Sequence, residues 1–230
     1  MKRNQSGFTL IEIAIVLVII GLLLGGVLKG QELINSARVK NLATDFKNIP
    51  VFIYGYQDKF RALPGDDKSV ADHLGATAGI CAPSAGLCAT GNGVIDGAWN
   101  ANAATTESFL FWQQVRLAGL APGSTDTASA DYLPVNAAGG NIGIQSGTST
   151  PASSPIKDNP AGNAIRGSYI ICSTGILGKF VKQLDLQMDD GNTATGSMLA
   201  APVTGYVIGT SATPTATIDD ATSYIVCMGV

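Results

Sequence analysis

Two short acidic stretches carry the residues whose types and spacing suit metal binding. They are GNGVIDG (91–97) and LDLQMDDGN (184–192). The ligand candidates are Asn92 and Asp96 in the earlier stretch, and Asp185, Asp189, Asp190 and Asn192 in the later one. Calcium prefers six to eight carboxylate and amide oxygens on a flexible loop. Neither stretch has EF-hand spacing, and Asp-Gly and Asn-Gly pairs are equally typical of plain turns. We therefore expect no required cofactor and take calcium at the later stretch as the one candidate.

Catalytic chemistry has little support in the sequence. The chain contains no G-x-S-x-G, no G-x-x-x-x-G-K and no H-E-x-x-H motif. Its single histidine, His73, stands beside Asp72 and is interpreted as a surface residue rather than a base. Trp99 and Trp112 are candidates for a sugar site, but packing in the core or at an interface is the better interpretation. The sequence predicts a protein that is not an enzyme.

The amino-acid composition limits the kinds of partner that the chain is expected to bind. The chain has 230 residues, 46% of them hydrophobic and 13% charged, with a net charge of −3. High apolar content argues against disorder, and one medium domain plus an anchor fits this length. A net negative chain has no basic field to attract phosphates, so we expect no nucleic-acid partner.

The sequence of the N-terminal region predicts a membrane-spanning segment that contains one acidic residue. Lys2 and Arg3 precede an apolar run from Phe8 to Leu28, which as a helix would be about 31 Å long. The positive charges place residues 1–7 in the cytoplasm. Glu12 is unexpected there, because a carboxylate within a membrane helix costs about 2.5–3.5 kcal/mol. An ordinary signal anchor leaves this acid unexplained.

This segment, GFTLIEIAIVLVIIGLLLGG (7–26), resembles the N-terminal signature of type IV pilins and type II secretion pseudopilins. The resemblance implies a basic leader that a prepilin peptidase removes between Gly7 and Phe8, followed by N-methylation of Phe8. It also implies a role in assembly for Phe8 and Glu12. The new ammonium group at Phe8 and the Glu12 carboxylate would pair within one subunit or between neighbours, each making the other tolerable in an apolar bundle.

The same resemblance implies a function. We expect a structural subunit of a type IV pilus-like filament, a homo-oligomer that works with an assembly platform and other pilins or pseudopilins. The alternative is a minor pilin or secretion pseudopilin whose head acts as a tip, adhesion or cargo-binding module. Before assembly the chain would sit in the bacterial inner membrane with its head in the periplasm. After assembly it would be part of a cell-surface or extracellular filament.

Helical periodicity continues beyond the membrane segment. Apolar residues spaced by three and four recur at Leu42, Phe46, Ile49, Ile53, Tyr56 and Phe60. We therefore predict four regions: a leader (1–7), a transmembrane helix (8–28), the amphipathic half of the same helix (29–60) and a globular head (61–230). The predicted fold class is α+β, a long N-terminal helix packed on an antiparallel sheet, as in type IV pilins.

Within the head, four segments have clear patterns. The pattern predicts a helix over residues 105–120 and strands over 167–173 and 223–230. The spacing of apolar residues from Leu177 to Met188 predicts a second, short helix. Four cysteines allow three disulfide pairings. We favour Cys81 with Cys88, and Cys172 with Cys227, because the last two lie in the two predicted strands.

Overall fold

A computed structural model describes residues 10–81 and 88–230. The chain divides into two compact units, Met1–Arg38 and Val39–Val230. Helix α1 (Leu10–Phe60) contributes residues to both, and each unit is considered separately below. The first unit contains the apolar N-terminal part of α1, and the second contains the whole of the sheet.

The predicted stripe on α1 is buried in the second unit except at its last residue, Phe60, which is half-buried. Leu42, Phe46, Ile49, Ile53 and Tyr56 are each at most 2% exposed. Their spacing of three and four residues places them on one face of the helix, which explains why this face alone packs into the core.

Three further α-helices lie in the described part of the chain, along with two 3-10 turns (Pro151–Ser153 and Thr215–Thr217). The α-helices are α2 (Val70–Leu74), α3 (Glu107–Leu117) and α4 (Gly178–Met188). The sequence predicts α3 and α4, which are confirmed, whereas it predicts no element at α2. Thr106 is the residue before α3, in extended conformation, but its side chain makes no capping hydrogen bond.

A four-stranded antiparallel sheet lies at the centre of the second unit, in the order β1-β3-β6-β4. Its strands are β1 (Ile142–Ser146), β3 (Tyr169–Leu177), β4 (Met198–Pro202) and β6 (Ser223–Gly229). A separate two-residue parallel pair joins β2 (Ile156–Lys157) to β5 (Thr210–Ser211). The two strands predicted from the sequence are β3 and β6, which pair with each other in the middle of the sheet. The predicted α+β fold class is thereby confirmed.

Side chains on the two faces of the sheet enter different cores, as the alternation of a strand requires. Ile171 and Val226 belong to a core that also contains buried residues of α1, α3 and α4, which we call the helix-side core. Ile170, Cys172 and Cys227 belong to a second core, the disulfide-side core. Both faces of the sheet are therefore buried.

Loops cover both edges of this sheet. Along β1, the backbone N–H of Ser146 donates to the Ile95 carbonyl, and a Cβ at Gly143 would collide with the carbonyl oxygen of Trp99. Along β4, Ala200 donates to the carbonyl of Thr193 and accepts from the N–H of Thr213. Neither edge presents a free row of backbone groups for pairing with another strand.

Candidate assembly segment and acidic sites

The N-terminal part of α1 exposes an unbroken apolar surface. Every large apolar side chain between Leu10 and Leu28 is exposed, from 46% at Ile20 to 93% at Leu10. The helix is long and apolar enough to cross a membrane, with a mean hydropathy of 2.8 over its best 18-residue window. Glu12 lies in the first turn, and the next charged residues, Lys29 and Glu32, form an exposed ion pair at 2.6 Å. A surface of this size requires a covering of lipid or protein.

All four cysteines form disulfides, in the pairing that the sequence favoured. Cys81 bonds to Cys88, within the segment that precedes α3. Cys172 and Cys227 are direct partners on β3 and β6, with their Cα atoms 4.0 Å apart. The second bond therefore crosses the two central strands inside the disulfide-side core.

The later acidic stretch (184–192) leads into a turn in which aspartate side chains accept hydrogen bonds from backbone N–H groups. One carboxylate oxygen of Asp189 accepts from the backbone N–H groups of Ser197 and Met198, at 2.7 and 2.9 Å, and its other oxygen accepts from the Ser197 hydroxyl. Asp190 accepts from the N–H of Asn192. These carboxylate oxygens stabilise the turn that connects α4 to β4. The Asp-Asp-Gly-Asn pattern is therefore explained by the hydrogen bonds of a turn.

Asp185 differs from its neighbours because it is fully buried on α4. Neither carboxylate oxygen has a hydrogen-bond partner of normal geometry among the described residues. Burial and, after it, the charges of the nearby Asp189 and Asp190 together raise the pKa of this carboxyl to about 7, against a lowering by the backbone N–H of Gly191. Asp185 is therefore a proton-binding group near neutral pH.

The earlier acidic stretch is held mainly by Asp66, which the sequence pattern does not indicate, and by Asp96, which it does. The carboxylate of Asp66 accepts from three consecutive backbone N–H groups, those of Gly91, Asn92 and Gly93. Asp96 closes the same loop by accepting from the N–H of Ala89. The Asn-Gly and Asp-Gly pattern thus forms a nest of amides around a carboxylate.

Glu107 lies beneath this loop, at the first position of α3, and is fully buried. Its Oε2 accepts from the backbone N–H of Asp96 at 2.8 Å. Its Oε1 has no hydrogen-bond partner in the described part of the chain. The pKa of Glu107 is raised to about 7, mainly by burial and to a smaller extent by the charges of Asp66 and Asp96, while the hydrogen bond from the Asp96 N–H acts in the opposite direction.

His73 is part of a structural network rather than a free surface residue. The buried carboxylate of Asp67 accepts from the Tyr56 hydroxyl at 2.7 Å and lies 2.6 Å from Nδ1 of His73. The His73 ring stacks on Phe60, with ring centroids 5.0 Å apart. This network attaches α2 to the end of α1, so the only histidine has a packing role here.

Neither a metal cluster nor a tryptophan-lined sugar site is evident in the described parts of the chain. Residues 10–81 and 88–230 contain no group of three or more His, Cys, Asp or Glu side chains arranged to hold a metal ion. Trp99 is 5% exposed and Trp112 is 3% exposed. Both tryptophans are core residues, as the packing interpretation predicted.

Comparison with known proteins gives one match. Residues 2–28 match a family model described as the prokaryotic N-terminal methylation motif. The chain carries the type IV pilin and pseudopilin signature. No curated protein and no solved structure matches the chain.

The pilin signature and the fold agree. A long apolar N-terminal helix followed by a four-stranded antiparallel sheet is the layout of a type IV pilin-like fold. The signature points to a structural, membrane-anchored protein that is processed by a prepilin peptidase and assembles with other pilins. Glu12 lies in the first turn of α1. Gly7 and Phe8, the predicted processing residues, lie outside the described residues.

Proposed function

We propose that this chain is a structural subunit of a type IV pilus-like filament. It is made as a membrane-anchored prepilin, cleaved after Gly7, N-methylated on Phe8 and polymerised through its N-terminal helix. The observation that supports this most is the methylation motif at residues 2–28, together with the exposure of every large apolar side chain from Leu10 to Leu28.

The proposal assigns a role to each region. Residues 1–7 are the leader, 8–28 form the transmembrane segment and filament core, 29–60 are the amphipathic half of the helix, and 61–230 form the head. The exposed apolar surface is covered by lipid before assembly and by the helices of other subunits afterwards. Lys2 and Arg3 keep the leader in the cytoplasm, which places the head in the periplasm.

Glu12 gives the assembly step its specificity. Cleavage after Gly7 creates an ammonium group on Phe8, about one helical turn before Glu12. Opposite charges in an apolar bundle are stable mainly as a pair, and removal of one leaves the other at a cost of several kcal/mol. A buried polar contact of this kind also fixes the register between helices.

Mass spectrometry of the mature chain tests the processing step. The expected first residue is Phe8, carrying one methyl group on its amine. A mature chain that retains Met1, or that begins after Leu28, would contradict the proposal.

Electron microscopy of sheared surface material tests the assembly step. Abundant filaments composed mainly of this chain indicate a main pilus subunit. Presence of this chain in a few copies within filaments of another subunit indicates the alternative, a minor pilin or secretion pseudopilin with a binding head. Complete absence from any filament, with normal expression, would contradict both.

Calcium at the late acidic stretch stays a separate prediction and is not a step in this proposal. Its candidate ligands are Asp185, Asp189, Asp190 and Asn192. Titration of the detergent-solubilised chain with calcium, followed calorimetrically and repeated on Asp190→Asn, tests it. Heat of binding that Asp190→Asn removes would support the site, and absence of heat would reject it.

A further inference from the structure

A polar cleft lies at the C-terminal end of α1, within the second unit. Its volume is about 670 Å³, and it is lined by the last turn of α1, the segment that follows this helix, two glycines of the loop 91–93 and the first residue of β3, Tyr169. Pockets of about 300–1,000 Å³ are typical of sites for small ligands. The side chains that line the cleft therefore indicate which kind of ligand it fits.

Arg61 lines this cleft from an unusual backbone position. It directly follows α1, its N–H donates to the Gln57 carbonyl at 2.9 Å, and its φ is 54°. Among the described residues, Arg61 is the only one other than glycine with a positive φ. Glycine is the usual residue at such a helix end, because a Cβ is strained in the left-handed conformation. A strained residue of this kind is typical of functional positions, and this one supplies a guanidinium group to the cleft.

Lys68 supplies a second cation to the same cleft. Its stem lies against Gly91, since a Cβ on this glycine would be 3.0 Å from Cδ of Lys68 and 3.4 Å from its Cβ. Lys68 forms no ion pair within the described part of the chain. The pair of Arg61 with Asp58 is loose, because Nη2 and Oδ1 are 4.0 Å apart and the side chains are 84% and 86% exposed. Exposed pairs of this kind contribute little, so both cations are available to a ligand.

The acid that lines the cleft does not cancel this positive charge. Asp66 is 3% exposed, and its carboxylate accepts from the backbone N–H groups of Gly91, Asn92 and Gly93. Its hydrogen-bonding capacity is therefore used by the loop. The cleft presents two exposed cations and one buried, hydrogen-bonded anion, a distribution that favours an anionic ligand.

Neutral groups line the rest of the cleft. Nε2 of Gln57 is 3.5 Å from the Tyr169 hydroxyl, and both side chains can donate and accept hydrogen bonds. Ala62 adds apolar surface, and the half-buried Tyr169 adds an aromatic ring. A ligand that matches this set has a negative charge, several hydroxyl groups and an apolar ring face. An acidic sugar has all three.

We propose that this cleft binds an acidic sugar, in which the carboxylate of a hexuronate pairs with Arg61 and Lys68 and the hydroxyl groups bond to Gln57 and Tyr169. A guanidinium group suits this role, because its planar donors match a carboxylate in a bidentate arrangement. A protein partner fits less well, because a stable protein interface buries about 800 Å² on each side and has an apolar centre.

Titration calorimetry of the full chain with α-1,4-digalacturonate tests the proposal, in micelles of a detergent without a sugar head group. The matched ligand is galabiose, the neutral disaccharide of the same linkage, which has a hydroxymethyl group in place of each carboxylate. We expect digalacturonate to bind about tenfold more tightly than galabiose, because charge-assisted hydrogen bonds are the stronger ones. Absence of heat with digalacturonate, or equal affinity for the two sugars, would overturn the proposal.

Arg61→Gly separates binding from folding. Glycine relieves the left-handed strain and removes the guanidinium group, so the urea midpoint should stay the same or rise while the affinity for digalacturonate falls about tenfold. Lys68→Gln should also weaken binding. The matched control is Lys47→Gln, because Lys47 is an exposed cation of α1 that does not line the cleft. Wild-type affinity in Arg61→Gly, or an equal loss in Lys47→Gln, would refute the site.

Two further measurements separate an acidic sugar from other occupants. If inorganic sulfate binds as tightly as digalacturonate, the cleft is a general anion site and the sugar assignment is wrong. If the chain self-associates in sedimentation equilibrium and Arg61→Gly abolishes this, the occupant is a second copy and the proposal is again wrong. Absence of both effects supports the sugar. All these measurements use the unassembled chain, and the cleft lies outside the N-terminal signature, so the proposed function and this inference fail independently.

Discussion

Single carboxylates determine the irregular backbone of the head. Asp66 and Asp189 each accept from two or more consecutive backbone N–H groups, and Asp67 accepts from the Tyr56 hydroxyl and from the N–H of Ser69. A backbone amide buried without a partner costs about 1–3 kcal/mol, and hydrogen bonds to a charged acceptor are stronger than neutral ones. Each carboxylate therefore fixes a loop in one conformation.

Tyr56→Phe should lower the free energy of unfolding of the head by about 1–2 kcal/mol. The substitution removes the hydroxyl that donates to Asp67 and leaves a buried carboxylate with one fewer donor. Urea denaturation of the full chain in detergent, followed by tryptophan fluorescence, measures the change. Tyr54→Phe is the matched control, because Tyr54 lies on the same helix and is 59% exposed. Equal effects from the two variants would contradict the role given to Asp67.

Asp185 should make the head less stable at higher pH. Its pKa rises from 3.8 to about 7 on folding, so its contribution is fully present below the ordinary carboxyl value and is lost as the pH rises through about 7. Between pH 5 and pH 8 this amounts to a loss of up to about 2–3 kcal/mol.

Comparison of urea midpoints at pH 5 and pH 8 for wild type and Asp185→Asn isolates this contribution. The variant should lose less stability between the two pH values than the wild type does. The exposed Asp126→Asn serves as control and should follow the wild type. If Asp185→Asn loses as much stability between pH 5 and pH 8 as the wild type does, the Asp185 carboxyl is already ionised at pH 5.

The roles of individual polar residues in the head were harder to predict from the sequence than its helices and strands. Asp189 and Asn192 are recognisable from the sequence as oxygen ligands, but the amides that occupy Asp189 belong to Ser197 and Met198. Glu107 gives no signal, since a glutamate at the start of a helix is ordinary and its burial depends on Asp66 and the loop above it. The spacing of residues within a short stretch of sequence gives no information about hydrogen-bond partners that are far away along the chain.

At the scale of elements, periodicity decides which segments are predictable. The stripe on α1 and the apolar runs of β3 and β6 each follow one period and each form the expected element. Strand β4, with the sequence MLAAP, has few β-branched residues and becomes a strand through its pairing with β6. Helix α2 has only five residues and depends on the contact of His73 with Asp67.

The two disulfides should differ in their effect on stability. Removal of Cys172–Cys227 releases a connection 55 residues apart in sequence and leaves space in the disulfide-side core, whereas Cys81–Cys88 spans 7 residues. On the chain-entropy account the losses are about 4 and about 2 kcal/mol. Urea midpoints of the double alanine variants of each pair measure the difference. A larger loss from Cys81→Ala with Cys88→Ala would contradict this ranking.

At the scale of the whole molecule, the surfaces of the two units differ in character. The sheet edges in the second unit are covered by loops, and both faces of the sheet are buried. In the described part of the first unit, every large apolar side chain from Leu10 to Ile34 is exposed. Since association is driven by apolar area that can be removed from water, the N-terminal part of α1 is the surface on which the proposed assembly depends.

Glu12→Ala should reduce filament yield at least tenfold while membrane insertion is kept or improved. Removal of the carboxylate lowers the cost of placing the helix in lipid but leaves the Phe8 ammonium group without its partner during assembly. Quantitative blotting of sheared filaments and of membrane fractions measures both. Glu32→Ala is the control, because Glu32 forms an exposed pair with Lys29 that contributes little. Normal filament yield from Glu12→Ala would contradict the charge pairing.

The cross-strand bond between Cys172 and Cys227 has a mechanical consequence. A force that pulls on the chain beyond β6 would peel β6 away from β3 one residue at a time, but the covalent link at Cys227 interrupts this peeling. Beyond Cys227, Met228 and Gly229 of β6 can detach, and tension then passes through the bond into β3. A head of this design resists unravelling of β6 under load, and reduction of this bond, which lies inside the disulfide-side core, would remove that resistance.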